Sequence, residues 1–302
     1  MNRAMETHAR PNLTLWQVLG SCAILLGLLA VVSPVFAKLG SQTSSAANLK
    51  QLATAMIAYS EDYSGTLPLA FGRSATTGIW AYNFRIAVPA GWPPSFDEDR
   101  RERDRWAWIN ATKPYYEDPR ILVIPGLPKF RSLSNDDYDN ARYPWHDVSV
   151  SMNGLLNNYP LSGIAEPSKL TLLWTGLGRV RYEGMTLPNP SLRCPEPWLP
   201  CVYQPTQSGC GSSNGSSSNM LVIPGSLWTY NRSGIFISVD SSVRIVPLGE
   251  ATTTGGSSAD GTPFTDWHFD PYTGYDPMGF PGFYWKDGCH VLIFRPDFDF
   301  EP

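Results

Sequence analysis

The sequence predicts an α+β protein: a long N-terminal hydrophobic helix packed on an antiparallel β-sheet head with long loops. Three observations lead there. Leu13 to Ala37 is a run without a charged side chain. The next stretch, SQTSSAANLKQLATAMIAYSEDYSG, carries apolar residues at helical spacing. After Pro68 the pattern changes to short apolar or alternating runs bounded by Gly, Pro, Ser and Asn, the mark of strands and turns.

The apolar run comes first. At about 1.5 Å per residue it is long enough to cross a hydrocarbon core of roughly 30 Å. Arg3 and Arg10 precede it with Glu6 as the only acid, which places the N-terminus in the cytoplasm and the bulk of the chain outside. A cleaved signal peptide, a plain anchor and a helix used first in lipid and then in protein all share that orientation. Val35-Phe36-Ala37 satisfies the small-residue rule for cleavage after Ala37, but the run exceeds the usual h-region of about 7–15 residues.

The second half of the helix follows. Leu49, Leu52, Ala53, Met56, Tyr59 or Ser60, and Tyr63 make one apolar stripe, and Lys50, Gln51, Thr54 and Glu61 largely take the other face. Gly65 stands at a left-handed cap and Pro68 soon after, so the helix is expected from about Leu13 to Ser64, loosened around Pro34 and Gly40.

The head is read from ILVIPG, KLTLLW, MLVIPGSLW, GIFISV, VRIVPL and HVLIF as strands, with GIFISVDSSVRIV a hairpin turning near Asp240-Ser241. The charge run FDEDRRERDRW (Phe96–Trp106) is a helix start or a loop, and its mixed signs favour solvated surface. CGSSNGSSSN and GEATTTGGSSADGTPF read as flexible loops, the latter a candidate for sugar attachment.

These segments resemble a known family. The N-terminus is similar to that of type IV pilins and the pilin-like proteins of type II secretion systems. There a short basic leader precedes an apolar half-helix with a proline, then an amphipathic half-helix under a globular head. LTLWQ stands at the start of the family's mature chain with Thr14 and Leu15 matching, Pro34 falls at its proline, and SPVFAKLG is similar to its FPVFA segment. NLKQLATAMIAYSEDYSGTLP resembles the form found in a large bacterial subgroup. KPYYEDPRILVIPG, VSMNGLL and EPSKLTLLWTG resemble that subgroup's later segments, with Ile124 where a cysteine is common. NRSGIFISVDSSVRIVP holds the place of its histidine, nine residues and Asp-Gly, with Tyr230 for the histidine and Ser241 for the glycine.

The resemblance implies residues 1–12 as leader, 13–64 as transmembrane plus amphipathic helix, and 65–302 as an extracytoplasmic head. It implies cleavage between Asn12 and Leu13 by a prepilin peptidase, with Leu13, Thr14, Gln17 and Pro34 in the assembly helix, and sister pilin-like subunits and the membrane as partners. Two residues depart from the pattern. Asn12 stands where the peptidase expects a glycine, and Gln17 replaces a glutamate thought to pair with a neighbour's new amino terminus. Gln17 accepts a hydrogen bond but cannot neutralise a buried charge. Both changes suit a chain that keeps its leader and stays anchored or acts as a minor component. Periodicity assigns Leu49, Leu52 and Met56 to docking of the head.

Composition narrows the function. With 26 glycines and 27 prolines among 302 residues the chain is rich in loops, and 13% aromatics supply a core. A formal charge of −4 lacks the basic footprint of nucleic-acid binding. Cys194, Cys201, Cys210 and Cys289 are an even set for two disulfides in an oxidising compartment. Of three connectivities the favoured one is Cys194–Cys201 with Cys210–Cys289. No zinc spacing, GxSxG or phosphate loop is present. DWHFDPYTGYDPMGF brings Asp266, Asp270 and Asp276 near His268, a weak calcium candidate without the EF-hand spacing; otherwise no cofactor is expected. His146 beside Asp147 is the one arrangement suited to an oriented base, and ordinary hydrogen bonding is favoured for it. GFPGFYW suits a core or a carbohydrate-stacking platform, the core being favoured. The expectation is a non-catalytic, membrane-anchored subunit of a surface filament or secretion pseudopilus. The alternative is an anchored extracellular binding module that does not polymerise, with glycans as candidate ligands.

Overall fold

The computed structural model describes residues 41–82, 84–177, 180–192, 194, 199–204, 229–230, 233–247 and 292–297. The chain divides into two units, Met1–Thr43 and Ser44–Pro302, and nearly all described residues belong to the second. The apolar run Leu13–Ala37 lies outside the described residues. Among those described, no helix is long and apolar enough to cross a membrane.

Residues 41–62 form helix α1. Ser45, Leu49, Leu52, Ala53, Met56 and Tyr59 are buried along one face, while Lys50, Gln51, Thr54 and Glu61 face solvent. That spacing of three and four is why an amphipathic sequence settles as a helix only against a partner surface. The end is as the sequence requires. Ser64 and Gly65 take positive φ, and the Gly65 N–H returns to the Ser60 carbonyl at 2.8 Å. Tyr63 departs from the expected stripe: it is 47% exposed and stacks on Tyr59.

The rest is α+β, with mostly antiparallel pairing. A four-stranded sheet has the order β4 (Ser151–Met152), β5 (Thr171–Trp174), β8 (Ser233–Ser238), β9 (Val243–Pro247), every pair antiparallel. The predicted hairpin is its β8–β9 edge, turning through Ser241 at φ 65°. Instead of one sheet, the described residues form three. Strand β1 (Ile86–Ala87) pairs antiparallel with β7 (Met185–Thr186). Strand β6 (Arg181–Glu183) lies between β2 (Lys129–Phe130), which runs parallel to it, and β3 (Asp147–Val148), which runs antiparallel.

Two predicted strands are short 3-10 helices. Pro119–Leu122 holds the start of ILVIPG, with Asp118 capping the Arg120 N–H, because a proline at the first position favours a helical turn. Leu292–Phe294 occupies the end of HVLIF. MLVIPGSLW lies outside the described residues.

One buried cluster joins Leu49, Leu52 and Met56 of α1 to Leu173, Trp174, Phe236 and Ile237 of the sheet and to Phe294. Trp174 stacks on Phe236 at 5.4 Å between centroids, and its indole N–H donates to the Asn189 carbonyl. Asn157 ties three segments together: its Oδ1 accepts from the Ala70 N–H and its Nδ2 donates to the Cys201 carbonyl.

Candidate functional site

Of the two readings of the charge run, a helix start or a solvated loop, the helix is what forms, and within it only Asp104 is buried. Asp97 caps α2 (Glu98–Trp106) by accepting from the Arg100 N–H at 2.8 Å. Glu98 and Asp99 occupy the first turn and Arg103 and Arg105 the last, matching the helix dipole. Three contacts hold it to the head. Asp99 accepts from the Ser74 hydroxyl and the Thr76 N–H. Gly72 approaches so closely that an added Cβ would meet the Arg103 carbonyl oxygen at 2.0 Å. Asp104, 3% exposed, accepts from the Ala87 N–H of β1 at 2.9 Å. Burial pushes the Asp104 carboxyl up to about 7, against the lowering effects of that bond and of Arg100 and Arg103 nearby.

The arginines of α2 divide into two sets. Arg101 and Arg105 form i,i+3 ion pairs with Glu98 and Glu102. Arg100 and Arg103 make no ion pair, and the Nε of each, like that of Arg101, is buried without a hydrogen-bond partner. Their guanidinium carbons stand 5.8 and 5.3 Å from the centroid of Phe84, whose ring is 46% exposed. Arg100 also stacks at 3.5 Å on Phe96 and donates to the Arg85 carbonyl. Burial holds the Arg100 guanidinium below its usual pKa, and Arg103 adds to that while Asp104 opposes it. Trp106, 51% exposed, bonds Glu102 at the far end of the helix. The result is a face where two unpaired cations share an accessible ring, suited to holding an anion.

A second charged group is internally satisfied. Lys129 and Arg131 each reach Glu183 at 2.7 Å, clipping β2 to β6. Burial would raise the Glu183 carboxyl, but the two bonds outweigh it and hold it below the usual carboxylate range. His146 and Asp147 are not brought together as an oriented base. Asp147 pairs with Arg181 at 3.5 Å, and the His146 ring is depressed below its usual pKa by burial and by Lys113. Among the described residues no group of three His, Cys, Asp or Glu side chains is placed to hold a metal.

The remaining predicted residues sort as follows. Leu49, Leu52 and Met56 are buried. Cys194 and Cys201 are disulfide-bonded, with Cα atoms 5.6 Å apart. Asn12, Leu13, Thr14, Gln17, Pro34, Cys210, Asp266, Asp270, Asp276 and Cys289 lie outside the described residues, as does GFPGFYW. Sequence reasoning missed the Arg100–Arg103 face. Its available signal was two arginines three apart in a run opened by an N-cap aspartate. With this geometry in view, the chain matches no family model, no curated protein and no solved structure.

Proposed function

We propose that the chain is a pilin-like subunit with a mechanical role rather than a catalytic one. Residues 13–37 anchor it in the cytoplasmic membrane, N-terminus inside, and then pack against sister helices in a surface filament or secretion pseudopilus. Apolar surface would pass from lipid to protein, and Gly20, Gly27 and Ala30 are small enough for close helix approach. One observation carries this reading: α1 buries one face in the head, exposes the other, and is closed off by the turn at Gly65, while its sequence continues upstream into the uncharged run. The Cys194–Cys201 bridge suits an oxidising, extracytoplasmic head.

The test is the distribution of the protein between membranes and filaments sheared from the cell surface. The assembly reading expects it in both, with Gln17→Glu raising the sheared share by restoring a carboxylate to face a neighbour's amino terminus. Recovery from membranes alone, unchanged by Gln17→Glu, would overturn it. That result would leave the second reading, a non-polymerising anchored binding module, which Asn12, Gln17 and the unpaired arginines of α2 favour.

A further inference from the structure

We propose that the face of α2 bearing Arg100 and Arg103, around the shared ring of Phe84, binds a carboxylate-bearing polysaccharide of the polyuronate type. The two arginines lie three apart on one helix, so they present to the same side. Holding two like charges together in a partly desolvated place is unfavourable unless something answers them. Asp104, Asp97 and Asp137 favour the Arg100 charge from a distance, but no carboxylate of the described head makes an ion pair with either arginine. Asp104 is turned to the Ala87 N–H, Asp97 caps the helix, and the Asp137 carboxylate accepts from the Ser95 N–H and the Ser134 hydroxyl. The Nε atoms of Arg100, Arg101 and Arg103 are all buried without a hydrogen-bond partner, so the difference lies at the terminal nitrogens: those of Arg101 and Arg105 hold a carboxylate, and those of Arg100 and Arg103 hold none. A guanidinium offers a planar fork that fits a carboxylate through two parallel bonds.

The exposed ring of Phe84 adds flat apolar area on which the C–H face of a sugar can rest. A polyphosphate fits less well. Duplex DNA carries one charge per about 1.7 Å, and the exposed acids Asp97 and Glu98 on the same helix would repel so dense a polyanion. A glycan with one carboxylate on each sugar spreads its charge more widely and can set a carboxylate at the arginines while passing those acids. The site uses head residues only, so its chemistry is independent of assembly; its meeting a polysaccharide outside the cell rests on the exported head proposed above.

The experiment measures binding of the purified full chain to polygalacturonate, to its methyl ester and to duplex DNA. Binding is read in vitro and is therefore scored separately from any filament assay. The chain should bind polygalacturonate, lose that binding as salt rises, and ignore the ester. Arg103→Gln should weaken binding roughly tenfold, the loss expected for one charge-assisted hydrogen-bonding group. Phe84→Ala removes an exposed ring and should weaken binding several-fold with the circular dichroism of the fold unchanged. Arg120→Gln, which alters an exposed arginine paired with Asp118, should change nothing. Absence of polygalacturonate binding, equal binding by Arg103→Gln and Phe84→Ala, an equal loss in Arg120→Gln, or DNA bound as tightly as the polyuronate would each overturn the proposal.

Discussion

Asp104→Asn is predicted to change how the stability of the head depends on pH. Asp104 is 3% exposed and forms no ion pair with Arg100 or Arg103; its recorded partner is the Ala87 N–H at 2.9 Å. Burial is the largest influence on it and lifts the native carboxyl to about 7, against about 3.9 in the unfolded chain. Between those values the unfolded chain has released a proton that the native state keeps, so stability falls as pH rises through the window and levels off above it. A shift of about three units corresponds to about 4 kcal/mol. An asparagine keeps an oxygen to accept from Ala87 and has no charge to bury. The advantage of the variant over the wild type should therefore grow by about 4 kcal/mol between pH 4 and pH 8. Urea unfolding of both proteins across that range measures it. The comparison cancels Asp147, also raised by burial, and Asp99, Asp137 and Glu183, which are lowered and shift stability the other way. Parallel stability curves for the two proteins would refute the reasoning, because they would mean that the native carboxyl titrates where the unfolded one does.

Other perturbations test the packing. Met56→Ala on the buried face of α1 should cost about 2–5 kcal/mol by urea unfolding, whereas Thr54→Ala on the exposed face should stay within about 0.5 kcal/mol. Gly184→Ala should cost about 2 kcal/mol or more, because φ there is +72° and the new Cβ would sit 2.6 Å from the Trp92 indole. Replacing Cys194 and Cys201 together by serine opens a loop with a sequence separation of 7. It should lower stability by about 2 kcal/mol under non-reducing conditions and abolish the difference between reducing and non-reducing buffers.

The fold was legible where a pattern answers to one cause. The period of α1 is set by its dry face alone, so Leu49, Leu52 and Met56 could be named from spacing, and Gly65 could be named from backbone freedom. The β8–β9 hairpin was equally plain, because alternation and a turn pair coincide. Tyr63 fell on the stripe yet lies at the helix end, where stacking on Tyr59 replaces burial. ILVIPG looked like a strand from its apolar side chains, but Pro119 and the cap from Asp118 decide its backbone. The parallel pairing of β2 with β6 joins segments about fifty residues apart through a shared acid, Glu183, which no local pattern encodes.

The candidate site was hidden for a related reason. Arginine buries its stem and stacks its head on rings, so a helix of arginines and acids can pack without an apolar stripe. Which of the four arginines keep a partner depends on Phe84, Gly72 and β1, all supplied by the chain before α2. A string of mixed charges cannot say that Arg101 and Arg105 are paired while Arg100 and Arg103 are not.

The proposed function requires that Leu13–Ala37 remain in the mature protein, anchoring it and then packing in an assembly. The exact N-terminal mass of the protein from membrane and sheared-surface fractions tests it most directly. The account predicts a chain that retains this run in both fractions and begins at Leu13 in the sheared material. A mature chain beginning at Lys38 would make the run a discarded signal peptide and contradict the account.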